Sequence, residues 1–368
     1  MDNSQKILLR NEIEVYAKSL GFDMVGFSPA KIENKYLEAF SDWLKNDRHA
    51  DMSYMEKIEQ RSDMSKLLPG AQSVIVLIMN YYHEQKPLTA ESGRVARYAY
   101  GRDYHKVIGK KLKQIEKFIR ALSAQAAKPL TRSYVDTGPI LERALAEQAG
   151  LGRIGKNSCF ITEKFGSWVF ISEIITTLDL TNISPSDTKL SPGRVSSSVN
   201  HPTKAFPGTL SHSFGQPASP RWSSPQEKSF NVCGNCTKCM QACPTGAIIA
   251  PGVVDARLCI SYLTIENKGD ISPELAKIIS KTKRLYGCDI CQEVCPHNDA
   301  RQKDSHKIST VPNQGLFTPI AGDELSLNQL KSLKTDDEFL HTFAGSPLMR
   351  AKRKGLQRNA KVLLSKKN

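Results

Sequence analysis

Residues 233–247 read C-G-N-C-T-K-C-M-Q-A-C-P-T-G-A and residues 288–296 read C-D-I-C-Q-E-V-C-P, with a single cysteine, Cys259, between the two blocks. Eight of the nine cysteines in the 368-residue chain lie here. The first block has the spacing C-x2-C-x2-C-x3-C-P, which puts three thiolates on one tight loop and sends the fourth to a second iron-sulfur cluster. The second block repeats the x2 and x3 steps at Cys288, Cys291 and Cys295, and Cys259 supplies its displaced first member. The crossover rule then assigns one 4Fe-4S cluster to Cys233, Cys236, Cys239 and Cys295, and the other to Cys259, Cys288, Cys291 and Cys243. This reading predicts a ferredoxin-like double-cluster domain over residues 230–305.

Three blander readings fit less well. Disulfide frameworks belong to short secreted chains. Zinc sites pair C-x2-C blocks across a finger-sized loop and do not call for an x3 step followed by proline. Core cysteines have no reason to cluster at ligand spacing.

Composition sets outer bounds. At 40% hydrophobic and 24% charged residues the chain is ordinary for a soluble protein, long enough for two or three domains. No apolar run approaches the roughly 20 residues of a membrane span. The start, Met1 to Lys6, shows neither a signal core nor a twin-arginine motif, so a cytoplasmic location is expected. A formal net charge of +14 fits either a polyanionic partner or a merely soluble basic protein.

The 230 residues before the clusters predict an α/β fold. Ile7 to Leu20 is a helix closed by Gly21, Phe22 to Phe27 a strand, and Tyr36 to Leu44 a helix. Ser73 to Met79 is a continuous apolar run suited to a buried strand. Residues 97–105, R-Y-A-Y-G-R-D-Y-H, read as a loop with chemistry. The helix from Lys106 to Leu122 has Ile108, Leu112, Ile115 and Ile119 on one face and Lys106, Lys110, Lys113, Lys117 and Arg120 elsewhere. Thr131 to Val135 is a strand delivering Asp136, followed by a helix over Ile140 to Ala149. At that junction Asp136 is either a catalytic side chain or, with Thr137, a cap of the helix; spacing alone favours the cap. The glycine-rich residues 150–159 match no phosphate motif, and Cys159 reads as a small buried residue. Trp168 to Thr177 is strand-like. Residues 181–229 turn serine-, proline- and glycine-rich, a mobile insertion. Residues 306–368 form a helical, basic C-terminal region, with a helical pattern over Asp323 to Phe343. Eight Lys or Arg between Arg350 and Lys367 follow, with no acid among them.

Five motifs in order now carry a resemblance: R-Y-A-Y-G-R-D-Y-H, V-D-T-G-P-I-L-E-R-A-L-A-E-Q-A-G-L-G-R-I-G-K-N-S, the cluster blocks, C-I-S-Y-L-T-I-E after Cys259, and Y-G-C-D-I-C-Q-E-V-C-P-H-N. Over nearly its whole length the chain resembles the epoxyqueuosine reductases. The resemblance implies reduction of epoxyqueuosine to queuosine at the wobble position of tRNA, by cobalamin bound in residues 1–180 and fed from two 4Fe-4S clusters. It makes Asp136 the proton donor, a role that calls for a raised pKa. It places Arg61, Tyr98, Asn157 and Ser261 at the cobalamin site. Substrate tRNA and a reductant or electron-donor protein are the expected partners of a monomer without a membrane. His105 is either a participant or a satisfied loop histidine. A dehalogenase-like cobalamin enzyme and a plain electron carrier are the alternatives; the long segment before the clusters argues against the carrier.

Overall fold

The computed structural model describes residues 2–122, 129–181, 232–299 and 318–365. All but the first residue of the predicted 181–229 insertion falls outside them. Helix α1 (Asn3–Ser19) starts earlier than its apolar pattern does, because Asp2 and Gln5 form a capping box: the Asp2 carboxylate accepts the Gln5 N–H at 2.8 Å and Gln5 Oε1 accepts the Asp2 N–H at 3.2 Å. There follow β1 (Met24–Pro29), α2 (Asn34–Lys45), α3 (Ile58–Ser62), β2 (Ser73–Asn80), β3 (Ser92–Val95), α4 (Tyr104–Leu122) and β4 (Thr131–Tyr134). Next come α5 (Glu142–Gln148), β5 (Arg153–Ile154), β6 (Phe160–Ile161) and β7 (Val169–Thr176).

Strands β1, β2, β7 and β4 form one sheet in that order, and every neighbouring pair is antiparallel. The α/β expectation therefore becomes a mixed fold on an antiparallel sheet, and Asp136 does not sit at a parallel-strand switch point. Both faces are covered. Ile75, Leu77 and Met79 of β2 pack with α1 and α4 through Ile13, Ala17, Ile108, Leu112 and Ile115. The alternate residues Val74, Val76 and Ile78 pack with α5 and the segment around Met64. Double coverage explains why β2 is apolar without alternation, and each such buried aliphatic side chain stabilises by roughly 1.5–3 kcal/mol.

The cluster segment contributes α6 (Lys238–Ala242), β8 (Ile248–Ala250), β9 (Val253–Val254), α7 (Ile260–Ile265), α8 (Pro273–Thr282), β10 (Arg284–Tyr286) and α9 (Ile290–Glu293). The C-terminal region adds β11 (Glu324–Ser326), α10 (Leu327–Ser332), α11 (Asp336–Phe343) and α12 (Lys352–Leu364). The single helical pattern expected over Asp323 to Phe343 is thus a strand and two helices, because Leu325 pairs with Gly93 of β3 and Ser326 then caps α10. Strand β3 lies between β10 and β11. One small sheet therefore joins three distant parts of the chain. A Cβ on Gly93 would meet Leu285 Cβ at 2.6 Å, so the three segments close only around glycine.

From Lys352 to Leu364 the basic tail is a packed helix, and Lys366 and Lys367 lie outside the described residues. Arg358 donates to the carbonyls of Leu263, Asn267 and Gly269 at 2.6–2.7 Å, Arg353 pairs with Asp336 at 2.7 Å, and Arg350 grips Glu266 through two 2.8 Å hydrogen bonds. Lys352, Lys354 and Lys361 remain exposed.

Candidate active site and cluster centres

Cys233, Cys236, Cys239 and Cys295 line one small cavity of about 40 Å³ with Asn157, Ile161 and His297. The near and far blocks meet because α6, carrying Cys239, packs on α9, carrying Cys291. Burial raises the Cys239 thiol, and neighbouring thiols add to the shift. A second group forms around Cys259: burial raises its thiol, and so does the proximity of Cys291 and Cys243. The Cys288 thiol is pushed up to about 12 by burial, with Cys291 and Cys259 beside it. None of the nine cysteines is in a disulfide. Among the described residues no three His, Cys, Asp or Glu converge as they would on a single ion. The two groups of thiols, one lining the cavity and one around Cys259, offer the sulfur donors that iron-sulfur clusters use.

The glycine-rich loop approaches both quartets. The Lys156 N–H donates to Cys233 Sγ at 3.4 Å, Lys156 Nζ donates to the Gly234 and Cys236 carbonyls at 2.7 and 3.1 Å, and Asn157 Nδ2 reaches the Cys291 carbonyl at 3.4 Å. Cys159 is only partly buried, and its thiol lies beside that of Cys291. The reading of Cys159 as a small buried residue is corrected by that exposure.

Asp136 stands on the loop after β4 with φ 59°, a left-handed conformation uncommon for a non-glycine residue. It does not cap α5, which starts at Glu142 with Leu141 as N-cap and no side-chain cap. Its own N–H donates to Glu142 Oε1 at 2.6 Å. Its Oδ2 accepts a short hydrogen bond from the Tyr104 hydroxyl and lies 3.3 Å from His105 Nε2. His105 Nδ1 is 2.7 Å from Asp103 Oδ1. Burial works against the imidazolium, but Asp103 and Asp136 outweigh it and raise the His105 pKa to about 9. Desolvation by the surrounding groups pushes the Asp136 carboxyl up, although the side chain itself is exposed, but the adjacent His105 and the Tyr104 hydrogen bond outweigh that and leave its pKa below the ordinary value. The Asp136 pKa thus moves opposite to the rise expected of a proton donor, while that of the neighbouring His105 is raised.

Arg61 is buried at the end of α3, donating to the Ile140 carbonyl at 3.2 Å and the Tyr54 carbonyl at 3.3 Å, close under the Asp136 loop. Tyr98 packs its ring 6.0 Å from that of Tyr104 and 6.2 Å from that of Tyr286. A Cβ on Gly287 would lie 3.4 Å from the Tyr98 ring, so Tyr98 stands between the acid site and the residue preceding Cys288. Ser261 sits in α7 two residues past Cys259, and its N–H lowers the Cys259 thiol, which places it with the second quartet. Asn157 lines the first. The structure thus gathers Asp136, Arg61 and Tyr98 on one side and divides Asn157 and Ser261 between the cluster centres. Sequence reasoning passed over Tyr104, Lys156 and the pair Glu142–Glu173. The last had a signal: a glutamate in the middle of the apolar strand V-F-I-S-E-I-I-T.

Residues 61–137 match the family described as "Epoxyqueuosine reductase QueG, DUF1730", and residues 232–298 match a "4Fe-4S double cluster binding domain". An epoxyqueuosine reductase of Gloeobacter violaceus is 38% identical over 358 residues, covering 96% of this chain and 95% of its own. One from Synechocystis is 35% identical over 343 residues, covering 92% and 100%. A solved epoxyqueuosine reductase in complex with an epoxyqueuosine-modified tRNA-Tyr stem loop superposes with TM-score 0.73 at 29% identity, over 98% of this chain and 81% of that one. Another, from Bacillus subtilis, has its catalytic aspartate loop swung out of the active site and superposes with TM-score 0.72 at 28% identity, over 98% and 82%.

Proposed function

The chain belongs to the epoxyqueuosine reductase family, and from that premise we propose that it reduces epoxyqueuosine to queuosine at the wobble position of tRNA. Both C–O bonds of the epoxide break, a C=C bond forms, and the oxygen leaves as water; two electrons and two protons enter. Side chains supply no low-potential electrons, so cofactors must. Cys233, Cys236, Cys239 and Cys295 would hold one 4Fe-4S cluster, and Cys243, Cys259, Cys288 and Cys291 the other, passing single electrons from a reductant or electron-donor protein. The contact of Tyr98 with both Tyr104 and Gly287 supports the Cys288 quartet as the nearer to the acid site.

Residues beside the Asp136 loop fit cobalamin. Arg61 Nε and the Tyr134 hydroxyl are buried without hydrogen-bond partners, donors suited to the amide and phosphate oxygens of a corrinoid. Arg61, Tyr98 and Asp136, with Asn157 and Ser261 toward the clusters, would hold it. When bound it supplies a low-potential cobalt able to deliver electrons to the epoxide.

The chain's own residues move the proton. His105, charged at neutral pH, is positioned by Asp103 so that Nε2 faces Asp136, and Asp136 Oδ2 passes the proton to the leaving oxygen. Tyr104 holds the same carboxylate oxygen. We assign residues 1–180 to a catalytic cobalamin-binding domain, 181–229 to an insertion, 230–305 to a ferredoxin-like domain and 306–368 to a basic C-terminal region, in a cytoplasmic monomer. Among the described residues no helix is long and apolar enough to cross a membrane.

The contact between His105 and Asp136, a charged acid within a few side chains of a thiol quartet, carries this reading. Protein reconstituted with iron, sulfide and cobalamin is tested with reductant and epoxyqueuosine-containing tRNA, and the nucleosides are analysed by mass spectrometry. Queuosine is the expected product; unchanged epoxyqueuosine overturns the assignment.

A further inference from the structure

Two carboxyl groups lie beneath the Asp136 loop and take no direct part in the chemistry above. Glu142 opens α5 and accepts the Asp136 N–H at 2.6 Å. That hydrogen bond holds a residue whose φ of 59° costs of order 1–3 kcal/mol for a side chain bearing a Cβ. The Glu142 carboxyl also has Glu173 beside it. Glu173 lies in the centre of β7, between Val76 of β2 and Tyr134 of β4, wholly buried, and neither of its carboxylate oxygens has a hydrogen-bond partner. The titratable groups facing it are Glu142, Asp136 and, across the strand pair on β4, Tyr134, and no cation is among them. Glu142 is faced by Asp136, by Arg143 of its own helix, by Arg61 of α3 and by Tyr104 of α4. Two adjacent carboxylates, one of them wholly buried with neither oxygen hydrogen-bonded and no cation facing it, cannot both be ionised.

We infer that Glu142 and Glu173 form a proton-holding carboxyl pair that positions Asp136, keeping its backbone in the left-handed turn and keeping a further negative charge away from the carboxylate that handles the proton. This deepens the proposed function and rests on it for its catalytic meaning. Burial and then the Asp136 charge push Glu142 up to about 8, while burial and Glu142 hold Glu173 well above the usual carboxyl range. Below that pH the pair is neutral. Above it Glu142 ionises beside Asp136, and the turn is held against repulsion.

Two readouts test the pair on the full, reconstituted chain. Infrared spectroscopy of the wild type near neutral pH should show the carbonyl stretch of a buried protonated carboxyl. It should weaken as pH rises through about 8 and be absent from the double variant Glu142→Gln with Glu173→Gln. In turnover, Glu142→Ala should lower kcat on the order of 10²-fold, with KM, iron and cobalamin content unchanged. Glu142→Gln keeps an acceptor for the Asp136 N–H and should restore most of kcat, its alkaline midpoint moving from about 8 up to about 9, where His105 titrates. A wild type without that band near neutral pH, or wild-type kcat in Glu142→Ala, overturns the inference. If the wild type fails to produce queuosine, the functional assignment fails, while the infrared band still decides whether the pair holds its proton.

Discussion

His105 Nε2 lies 3.3 Å from Asp136 Oδ2, while the Nδ1 of the same ring lies 2.7 Å from Asp103 Oδ1. Against the opposing effect of burial, the two carboxylates raise the imidazole pKa to about 9, so the acid we propose for the site is an imidazolium–carboxylate pair rather than a carboxylic acid alone.

That arrangement has a definite pH signature. The folded pKa of His105, about 9, exceeds the unfolded value near 6.5. The ion pair therefore stabilises the loop fully below about pH 6.5 and loses that contribution as pH rises through about 9. Proton supply fails over the same upper limb. His105→Asn should cut kcat by about 10²- to 10⁴-fold, leaving a residual rate that no longer responds to pH near 9. Steady-state kinetics across pH check it; a response near pH 9 that persists unchanged in His105→Asn would remove His105 from proton transfer.

Exchange of the fourth ligand between blocks predicts crossed phenotypes. Cys295→Ala should damage the cluster held by Cys233, Cys236 and Cys239, and Cys243→Ala the one held by Cys259, Cys288 and Cys291. The parent should carry about eight irons per chain, two 4Fe-4S clusters. Electron paramagnetic resonance of the two reduced variants should show different residual signals, and identical spectra would refute the crossover.

For tRNA, the packed state of α12 separates basic residues that bind from those that fold. Reversing Lys352, Lys354 and Lys361 to Glu should weaken tRNA binding and flatten its salt dependence, each lost phosphate contact removing about 0.7–0.9 from the log–log slope. Cluster content should not change. Arg358→Ala should instead lower stability, because three backbone carbonyls lose their donor. Binding isotherms at several salt concentrations, with thermal melts, distinguish the two classes; an unchanged slope in the lysine variant would place the phosphates elsewhere.

Much of this was legible in the chain, and for physical reasons. Ligand spacing is local, so the cysteine blocks could be read directly, and β2 announced its burial by being apolar at every position from Val74 to Met79. Strand direction was not legible: antiparallel pairing of β1, β2, β7 and β4 depends on connections that periodicity does not encode. The cap assigned to Asp136 failed because the chain makes a left-handed turn there and starts α5 six residues later. The cluster of Asp103, Tyr104, His105 and Asp136 is assembled by long-range contacts, and only folding brings His105 to within 3.3 Å of Asp136. The joining of β3, β10 and β11 into one sheet was equally hidden, since none of the three strands is longer than four residues.

The central claim is that Asp136, recharged by His105, delivers the proton that lets the epoxide oxygen leave. Single-turnover assays of Asp136→Asn, loaded with both clusters and cobalamin and given epoxyqueuosine-containing tRNA, test it most directly. The expected result is full cofactor content, unaltered tRNA binding and queuosine formation slowed by about 10²- to 10⁴-fold. Queuosine formed at the wild-type rate would contradict the account.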